Sequence, residues 1–281
     1  MVKRLAVACT LLALVAGRLC AEDVAKGPWR LGASVGYTTV SFSAVRSALE
    51  DFLKAKGTSF VDYLYATSSH GSATVKLEYP KGATALDAEL FYMVAEGVGL
   101  GGKFGYLVIP TFKGSVRGSG AYGESIEYSL AMDTSLIALL FGLYAETEIR
   151  PGAISLGGKA LVGPVLANAT INQSQAFVDP YFPAFARANS FSGEYDISGS
   201  GVGYEVCASA VFGINDSMST FLELSWRGAR LPEMTKDADE DLDGDSVHEI
   251  RKGEKFTDKD DDAVSFDFSG LSIALGLRFM I

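Results

Sequence analysis

Residues 86–108, LDAELFYMVAEGVGLGGKFGYLV, contain two alternating segments joined by a short turn. In the first segment apolar residues occupy every second position from Leu86 to Val94, and Asp87 and Glu89 stand between them. A period of two is typical of a β-strand with one apolar and one polar face. The second segment repeats the pattern, so the stretch predicts a β-hairpin.

The turn of this hairpin is Ala95-Glu96-Gly97. A three-residue loop ending in glycine suits a type I turn followed by a residue in the left-handed region. We therefore predict a positive φ at Gly97. A hairpin centred on Glu96 also places Glu89 opposite Lys103, where unlike charges stabilise the pair.

Six further segments alternate in the same way, which brings the predicted strands to eight. They lie at about 29–37, 128–147, 153–163, 202–212, 222–226 and 271–281. Short turns at 95–97, 148–152 and 214–217 alternate with long connections at 43–83, 113–127, 173–196 and 231–262. This build predicts an all-β fold: a closed, eight-stranded antiparallel transmembrane β-barrel with short periplasmic turns and long extracellular loops.

The first residues predict export. Lys3 and Arg4 precede an apolar run that ends at a tolerable cleavage site before Glu22, so residues 1–21 are interpreted as a signal peptide and 22–281 as the barrel domain of a bacterial outer-membrane protein. A lipoprotein signal at Cys20 is the alternative. Because the leader holds three of the 24 basic residues, its removal changes the net charge from −10 to about −13 and leaves Cys207 as the only cysteine.

The face opposite the apolar one carries charges of both signs in equal number. A polar, self-neutralising lumen explains this balance, and a solvated sheet face with chance balance is the alternative. The ten residues of the predicted lumen charge network are Arg30, Asp87, Glu89, Lys103, Lys159, Glu205, Glu223, Arg227, Asp267 and Arg278.

The end of the chain, Gly276-Leu277-Arg278-Phe279, resembles the C-terminal signature of small outer-membrane barrels of the OmpW and OmpX-like families. The chain departs from that signature because Met280 and Ile281 follow the aromatic residue. The resemblance implies recognition by the outer-membrane insertion machinery, contact with outer-membrane lipid, and a narrow conduit or binder for small apolar molecules. Eight strands enclose too little space for a wide aqueous pore.

Two of the long connections contain residues that suggest binding. Ser43 to Lys56 has apolar residues at helical spacing and predicts a short amphipathic helix. The third connection is rich in aromatic residues that could line an apolar entrance or form an interfacial girdle with a small loop core. The predicted ligand-binding residues are Phe177, Tyr181, Phe182, Phe185 and Phe191.

The acidic fourth connection, about 231–262, has 13 Asp or Glu and five Lys or Arg between Glu233 and Asp262. Asp239-x-Asp241-x-Asp243-Gly244 matches the first half of a calcium loop, but position 12 is Ile250 instead of glutamate. The candidate ligands for weakly bound calcium are Asp239, Asp241, Asp243, Asp245 and Glu249. A solvated acidic loop is the alternative.

Catalysis has little support in the sequence. His70-Gly71-Ser72 resembles the His-x-Ser pair of an outer-membrane lipid A deacylase, which also needs a carboxylate at membrane level; Glu78 is the candidate. We therefore expect no enzyme, no other cofactor and no nucleic-acid partner. The main alternative to a conduit is a surface-exposed interaction protein that binds host surface molecules through its long loops.

Overall fold

The structure is a computed structural model that describes residues 28–67, 69–150, 153–239, 251–257 and 262–281. In chain order its elements are β1 (Trp29–Thr39), α1 (Ser43–Ala66), β2 (Gly71–Glu78), β3 (Gly82–Ala95), β4 (Val98–Gly120), β5 (Ser125–Arg150), β6 (Ile154–Val178), α2 (Pro183–Ala188), β7 (Phe191–Asn215), β8 (Met218–Leu231), β9 (Thr235–Lys236), β10 (Phe266–Asp267) and β11 (Gly270–Met280). The predicted signal peptide, 1–21, lies outside the described residues.

Eight antiparallel strands form a closed ring in the order β1, β3, β4, β5, β6, β7, β8 and β11. The ring closes where β11 pairs with β1, in a register that runs from Arg30 opposite Met280 to Thr38 opposite Ser272. A closed ring satisfies every backbone group along the strands, which a lipid environment requires. The predicted eight-stranded barrel is confirmed.

The hairpin of β3 and β4 and the ends of the chain follow the prediction. Glu89 pairs with Lys103 in the ladder, and Gly97 has a φ of 68°. The Trp29 amide donates to the Ile281 carbonyl at 3.2 Å, and the Glu146 amide donates to the Gly97 carbonyl at 2.7 Å. The two ends of the barrel domain therefore lie at the rim that carries the short turns, the predicted periplasmic rim.

A belt of apolar side chains covers the outside of the ring next to this rim. We call it the apolar belt. Each of the eight ring strands contributes to it, and its apolar side chains are largely exposed. One member from each strand, in ring order, is Val35, Leu90, Leu100, Leu143, Val162, Val206, Leu224 and Leu275. A continuous surface of this kind is the lipid-facing surface of a transmembrane barrel.

Four strands continue far past the belt, and here two predicted loops are wrong. The predicted loop 113–127 is mostly strand, because β4 runs to Gly120 and β5 begins at Ser125. Half of 173–196 is strand, because β6 runs to Val178 and β7 begins at Phe191, with the short helix α2 between them. We call the parts of these four strands that lie away from the periplasmic rim the extension. It comprises the residues after Ile109 in β4, before Ser135 in β5, after Asn168 in β6 and before Ser200 in β7.

The outward face of the extension explains the error. It carries polar residues such as Lys113, Ser129, Asn172 and Glu194, whereas the inward face becomes apolar. The strand alternation therefore continues, but the apolar face changes from the outside to the inside. A search for strands by their outward apolar residues ends at this change.

The first connection contains more structure than predicted. Helix α1 begins at Ser43 as expected but continues ten residues beyond Lys56, to Ala66. The strand β2 then pairs with β4 beside the extension. Phe60 and Leu64 continue the buried face of the helix past Gly57, which explains its greater length.

The acidic fourth connection is described only in part. β9 pairs with β7, and β10 pairs with β8 above the ring. Residues 240–250 and 258–261 lie outside the described residues.

Candidate functional site

The lumen of the barrel has two levels of opposite character. Beside the apolar belt it contains buried charged side chains, and inside the extension it contains an apolar core around α1. We call the lower set the charge network; its members are Asp87, Glu89, Lys103, Lys159, Glu205, Glu223, Arg227 and Arg278, all of them buried.

Lys103 lies at the centre of the charge network. Its Nζ is 2.6 Å from a carboxylate oxygen of Glu205, 3.1 Å from one of Asp87 and 3.4 Å from one of Glu223. Arg227 forms ion pairs with two of these three carboxylates, Asp87 and Glu205, and its Nε is 3.0 Å from a carboxylate oxygen of Glu205. Two cations therefore share two carboxylates across the lumen.

A second group lies nearer the periplasmic rim. Lys159 joins Glu89 to Glu223, with its Nζ 2.5 Å from Glu223, and Arg278 donates to Glu89 at 3.0 Å. Arg278 also donates to the Tyr144 hydroxyl at 2.6 Å. Glu89 thus stands opposite Lys103 in the ladder but makes its ion pairs with two other cations.

Glycine provides the space for one of these side chains. A Cβ on Gly32 would lie 2.5 Å from Cγ of Glu89, which faces it from the neighbouring strand. A larger residue at this position would push Glu89 out of its pairs. The alternation of small and charged residues therefore fits the narrow interior of eight strands.

One residue of the predicted network lies apart from it: Asp267 is half-buried above the ring, where its carboxylate accepts the Ser269 amide at 2.8 Å. Arg30 is half-buried near the periplasmic rim, within electrostatic range of Tyr144, Glu146 and Arg278. Sequence reasoning missed Tyr144 and Glu146, which extend the network through Arg278. The strand alternation could have placed both inside, because they share the inward phase of β5.

Chemically, the charge network is a closed set of four acids and four bases. Each carboxylate has at least one cation within 4 Å, so the network adds no net charge to the lumen. Cys207 is also buried here, and its thiol donates to Glu205 at 3.1 Å. Glu205, Cys207 and Glu223 lie close enough together for a metal site, but Lys103 and Lys159 already neutralise the two carboxylates.

Above the charge network the lumen is filled by apolar side chains. Leu49 and Leu53 of α1 are buried in one cluster with Phe112, Tyr128 and Met132 from the extension. Between this cluster and the charge network there is a cavity of about 30 Å³. Such a volume holds about one water molecule, so little space remains between the two levels at this point.

The five predicted aromatic residues do not form one entrance. Phe177 is buried in a small cluster with Phe60 and Leu64 of α1. Phe185 stacks on Tyr63, with ring centroids 5.1 Å apart. The other three separate: Tyr181 and Phe182 are exposed beside α2, and the ring of Phe191 lies near that of Tyr128, with centroids 6.5 Å apart.

The small aromatic cluster is held by Asp179. Its carboxylate accepts the Tyr63 hydroxyl and the amides of Tyr181 and Phe182, at 2.7 and 2.9 Å for the two amides. Burial and the bond to Asp179 raise the pKa of Tyr63 to about 12. Burial acts to raise the pKa of Asp179, but the three hydrogen bonds outweigh it and hold that pKa below its usual value.

Lys56 on α1 lies in an aromatic setting. Its Nζ is 5.7 Å from the ring centre of Phe52, 5.6 Å from that of Tyr128 and 5.7 Å from that of Phe191. Burial lowers the pKa of this amine. The lysine thereby ties the helix to the wall of the extension through cation–π contacts.

The remaining predicted sites are the calcium loop and the His70–Ser72 pair. Of the candidate calcium ligands only Asp239 is described: it is exposed and accepts the Lys252 amide at 2.7 Å. Asp241, Asp243, Asp245 and Glu249 lie outside the described residues. His70 and Ser72 are exposed, and Glu78 pairs with Lys76 at the far end of β2, so no catalytic triad is assembled.

The chain was compared with known proteins at the levels of family, sequence and structure. No family model matches it, and no curated protein matches it in sequence. None of the helices described here is both long and apolar enough to cross a membrane.

Solved structures with a similar fold are outer-membrane barrels. Ail of Yersinia pestis, the attachment invasion locus protein, in complex with the heparin analogue sucrose octasulfate, is 12% identical over 89% of this chain and 99% of its own, with a TM-score of 0.34. The outer membrane protein OprG from Pseudomonas aeruginosa is 13% identical over 90% of this chain and 96% of its own, with a TM-score of 0.33. The outer membrane protease OmpT from Escherichia coli is 9% identical over 92% of this chain and 99% of its own, with a TM-score of 0.39.

The class of this protein follows from its own geometry. A closed ring of eight antiparallel strands, an apolar outer belt and a charged interior define a transmembrane β-barrel of the bacterial outer-membrane type. The predicted fold class and location in the outer membrane are thus confirmed.

Proposed function

We propose that this barrel is a non-conducting outer-membrane protein that acts through its exterior surface. The observation that supports this most directly is the occupied lumen. Eight buried charges pair with one another at one level, and α1 with its apolar contacts fills the other.

The extension supports the same function. On β6 the outward apolar residues of the belt end at Leu166, and Asn168, Thr170, Asn172 and Ser174 continue the outward face before Ala176 and Val178 at the strand end. Eight residues of strand correspond to about 26 Å, a length that carries the sheet well past the lipid. A polar, rigid, hydrogen-bonded surface of this size suits binding in the aqueous exterior better than a flexible loop does.

A conduit for small apolar molecules would need the molecule to displace α1 and to break the charge network. Both obstacles are costly, because Leu53 is fully buried and removing one partner from a buried ion pair leaves the other uncompensated. The exterior surface is therefore the function that the geometry supports best. An enzymatic role has no assembled catalytic group among the described residues.

Conductance tests the first half of the proposal. Purified protein in planar bilayers should give no discrete current steps, and liposomes containing it should take up small apolar dyes no faster than empty liposomes. A larger porin reconstituted in the same way serves as the positive control. Steady single-channel currents, or dye uptake that depends on the protein, would overturn the proposal.

Surface labelling tests the second half. Ser129→Cys lies on the outward face of the extension, and Asp216→Cys lies in the turn at the opposite rim. A membrane-impermeant maleimide should label the first variant on intact cells and the second only after permeabilisation. Cys207 is buried and gives little background. Equal labelling of both variants on intact cells contradicts the proposed orientation.

A further inference from the structure

The outward face of the extension contains a groove with a volume of about 500 Å³. It crosses β4, β5, β6 and β7, and its floor includes Ala131, Ser129 and Ser174. Short side chains in the middle and longer ones at the two ends produce the depression. The ends are Lys113 on β4 and Glu194 on β7.

The register aligns these residues in rows. Lys113 pairs with Ala131, Ala131 with Asn172, and Asn172 with Glu194, so four strands contribute one residue each. Three strand spacings place Lys113 and Glu194 about 14 Å apart. The neighbouring row consists of Ser115, Ser129, Ser174 and Ser192.

Most polar side chains on the outward face of the groove have no side-chain partner among the described residues, whereas the polar side chains in the two flanking rows are paired. In the row toward the membrane Thr111 binds Asp133 at 2.5 Å and Thr170 binds Asp196 at 2.6 Å. In the row away from it, Arg117 binds Glu127 at 2.7 Å.

On the outward face of the groove Ser129 and Ser174 share a side-chain hydrogen bond of 2.8 Å. Among the described residues no hydrogen bond or ion pair engages the side chains of Lys113, Asn172 or Glu194. Side chains without a protein partner therefore coincide with the concave part of the face.

The chemistry of the lining limits the ligand. The backbone groups of the floor are used in the strand ladders, so a peptide strand cannot add to this face. The floor has no aromatic or long apolar side chain, which disfavours an apolar ligand. Lys113 is the one cation of the lining and Glu78 stands beside it in the ladder, which disfavours a polyanion.

We propose that the groove binds a neutral oligosaccharide. Serine hydroxyls and the Asn172 amide both donate and accept hydrogen bonds, as sugar hydroxyls do, and the Glu194 carboxylate can accept from two adjacent hydroxyls. This inference rests on the proposed exterior function and names its ligand class.

The position of the groove assigns the sugar to the aqueous exterior. Asn172 lies six residues past Leu166, where the apolar belt ends on β6. Six residues of a strand tilted by about 40° rise about 15 Å above the belt. A lipid headgroup layer is about 5–8 Å thick on each side of the membrane, so the groove lies beyond it.

Glycan-array binding tests the inference. Purified protein, folded in a detergent without a sugar headgroup, is applied to an array of immobilised neutral, sialylated and sulfated oligosaccharides. We expect retention on a subset of neutral glycans, and this retention should weaken at least about tenfold in Asn172→Ala or Glu194→Gln, the loss expected for one hydrogen bond to a sugar hydroxyl.

A matched pair of variants separates groove binding from other surface binding. Ala131→Trp fills the floor of the groove, and Ala176→Trp adds the same side chain to the outward face of β6 outside the lining. The first should abolish retention and the second should leave it unchanged. Unheated gel mobility shows that each variant is folded.

Three results would overturn the inference: no neutral glycan retained, retention of sulfated glycans alone, or equal retention by the two tryptophan variants. Binding to vesicles of outer-membrane lipid that Ala131→Trp removes would assign the groove to a lipid headgroup and would also overturn it. The proposed exterior function would survive each of these results, because the conductance and labelling experiments test it separately.

Discussion

The belt level and the extension are built from the same strands with opposite polarity. In β5, Leu143 faces outward and Tyr144 inward at the belt level, whereas Ser129 faces outward and Leu130 inward in the extension. The strand period does not change between them. The difference teaches that alternation specifies a strand, while the medium on each side of the sheet specifies which phase is apolar.

The largest expected effect comes from breaking the charge network. Lys103→Met leaves Asp87, Glu205 and Glu223 with one cation fewer, and the uncompensated buried charge should lower the free energy of unfolding by about 3–5 kcal/mol. Urea unfolding of the protein in liposomes, followed by tryptophan fluorescence, measures the change.

Phe104→Met, at the next residue and on the lipid-facing side, is the control for that variant. It should cost clearly less, since lipid fills the space that the ring leaves. Equal losses for the two variants would mean that the network contributes nothing beyond packing.

A charge placed on the outward face should act differently at the two levels. Leu275→Arg lies in the apolar belt and should cost about 2–4 kcal/mol, because the guanidinium must enter the bilayer. Ser119→Arg lies on the outward face of the extension and should change stability by less than about 0.5 kcal/mol, as surface substitutions do. The same unfolding assay compares them, and a similar cost at both positions would contradict the assignment of the belt to lipid.

These contrasts show what the sequence could predict. The hairpin, the left-handed Gly97 and the inward position of Lys103 follow from period-two alternation and turn chemistry, which are local properties. The partners of Lys103 follow only in part: Asp87 is a diagonal neighbour on the paired strand β3, whereas Glu205 and Glu223 approach from β7 and β8 across the lumen. Register predicts neighbours in the sheet but not contacts across a closed ring.

The extension was predicted in β5, where the strand was expected from Tyr128, but was missed in β4, β6 and β7 for a physical reason. Lys113, Ser115 and Arg117 alternate with Gly114 and Val116, a pattern that is weak by composition because glycine and serine are common in loops. The partner that makes this inward face a core is α1, which the chain supplies from a distant segment. Its presence inside the sheet depends on tertiary packing that single-strand patterns do not contain.

The smallest expected effect concerns the attachment of α2 at the far end of the extension. The lowered pKa of Asp179 means that its stabilising contribution is fully present above the ordinary carboxyl value of 3.8 and is lost as the pH falls through its lower folded value. Acidification below pH 3.8 should therefore speed hydrogen exchange at the Tyr181 and Phe182 amides. Asp179→Asn should remove this pH dependence, and unchanged exchange down to the lowest pH tested would contradict the role of the carboxylate.

The seam between β1 and β11 has a consequence for assembly. Thr39 and Leu271, which are hydrogen-bonded there, are separated by 232 residues, so this pairing has the longest loop to close. Helix α1 follows β1 directly and lies within the wall that the later strands build. The helix therefore reaches its buried position only together with strands that follow it in the chain, and the joining of the first and last strands carries the largest loop-closure cost.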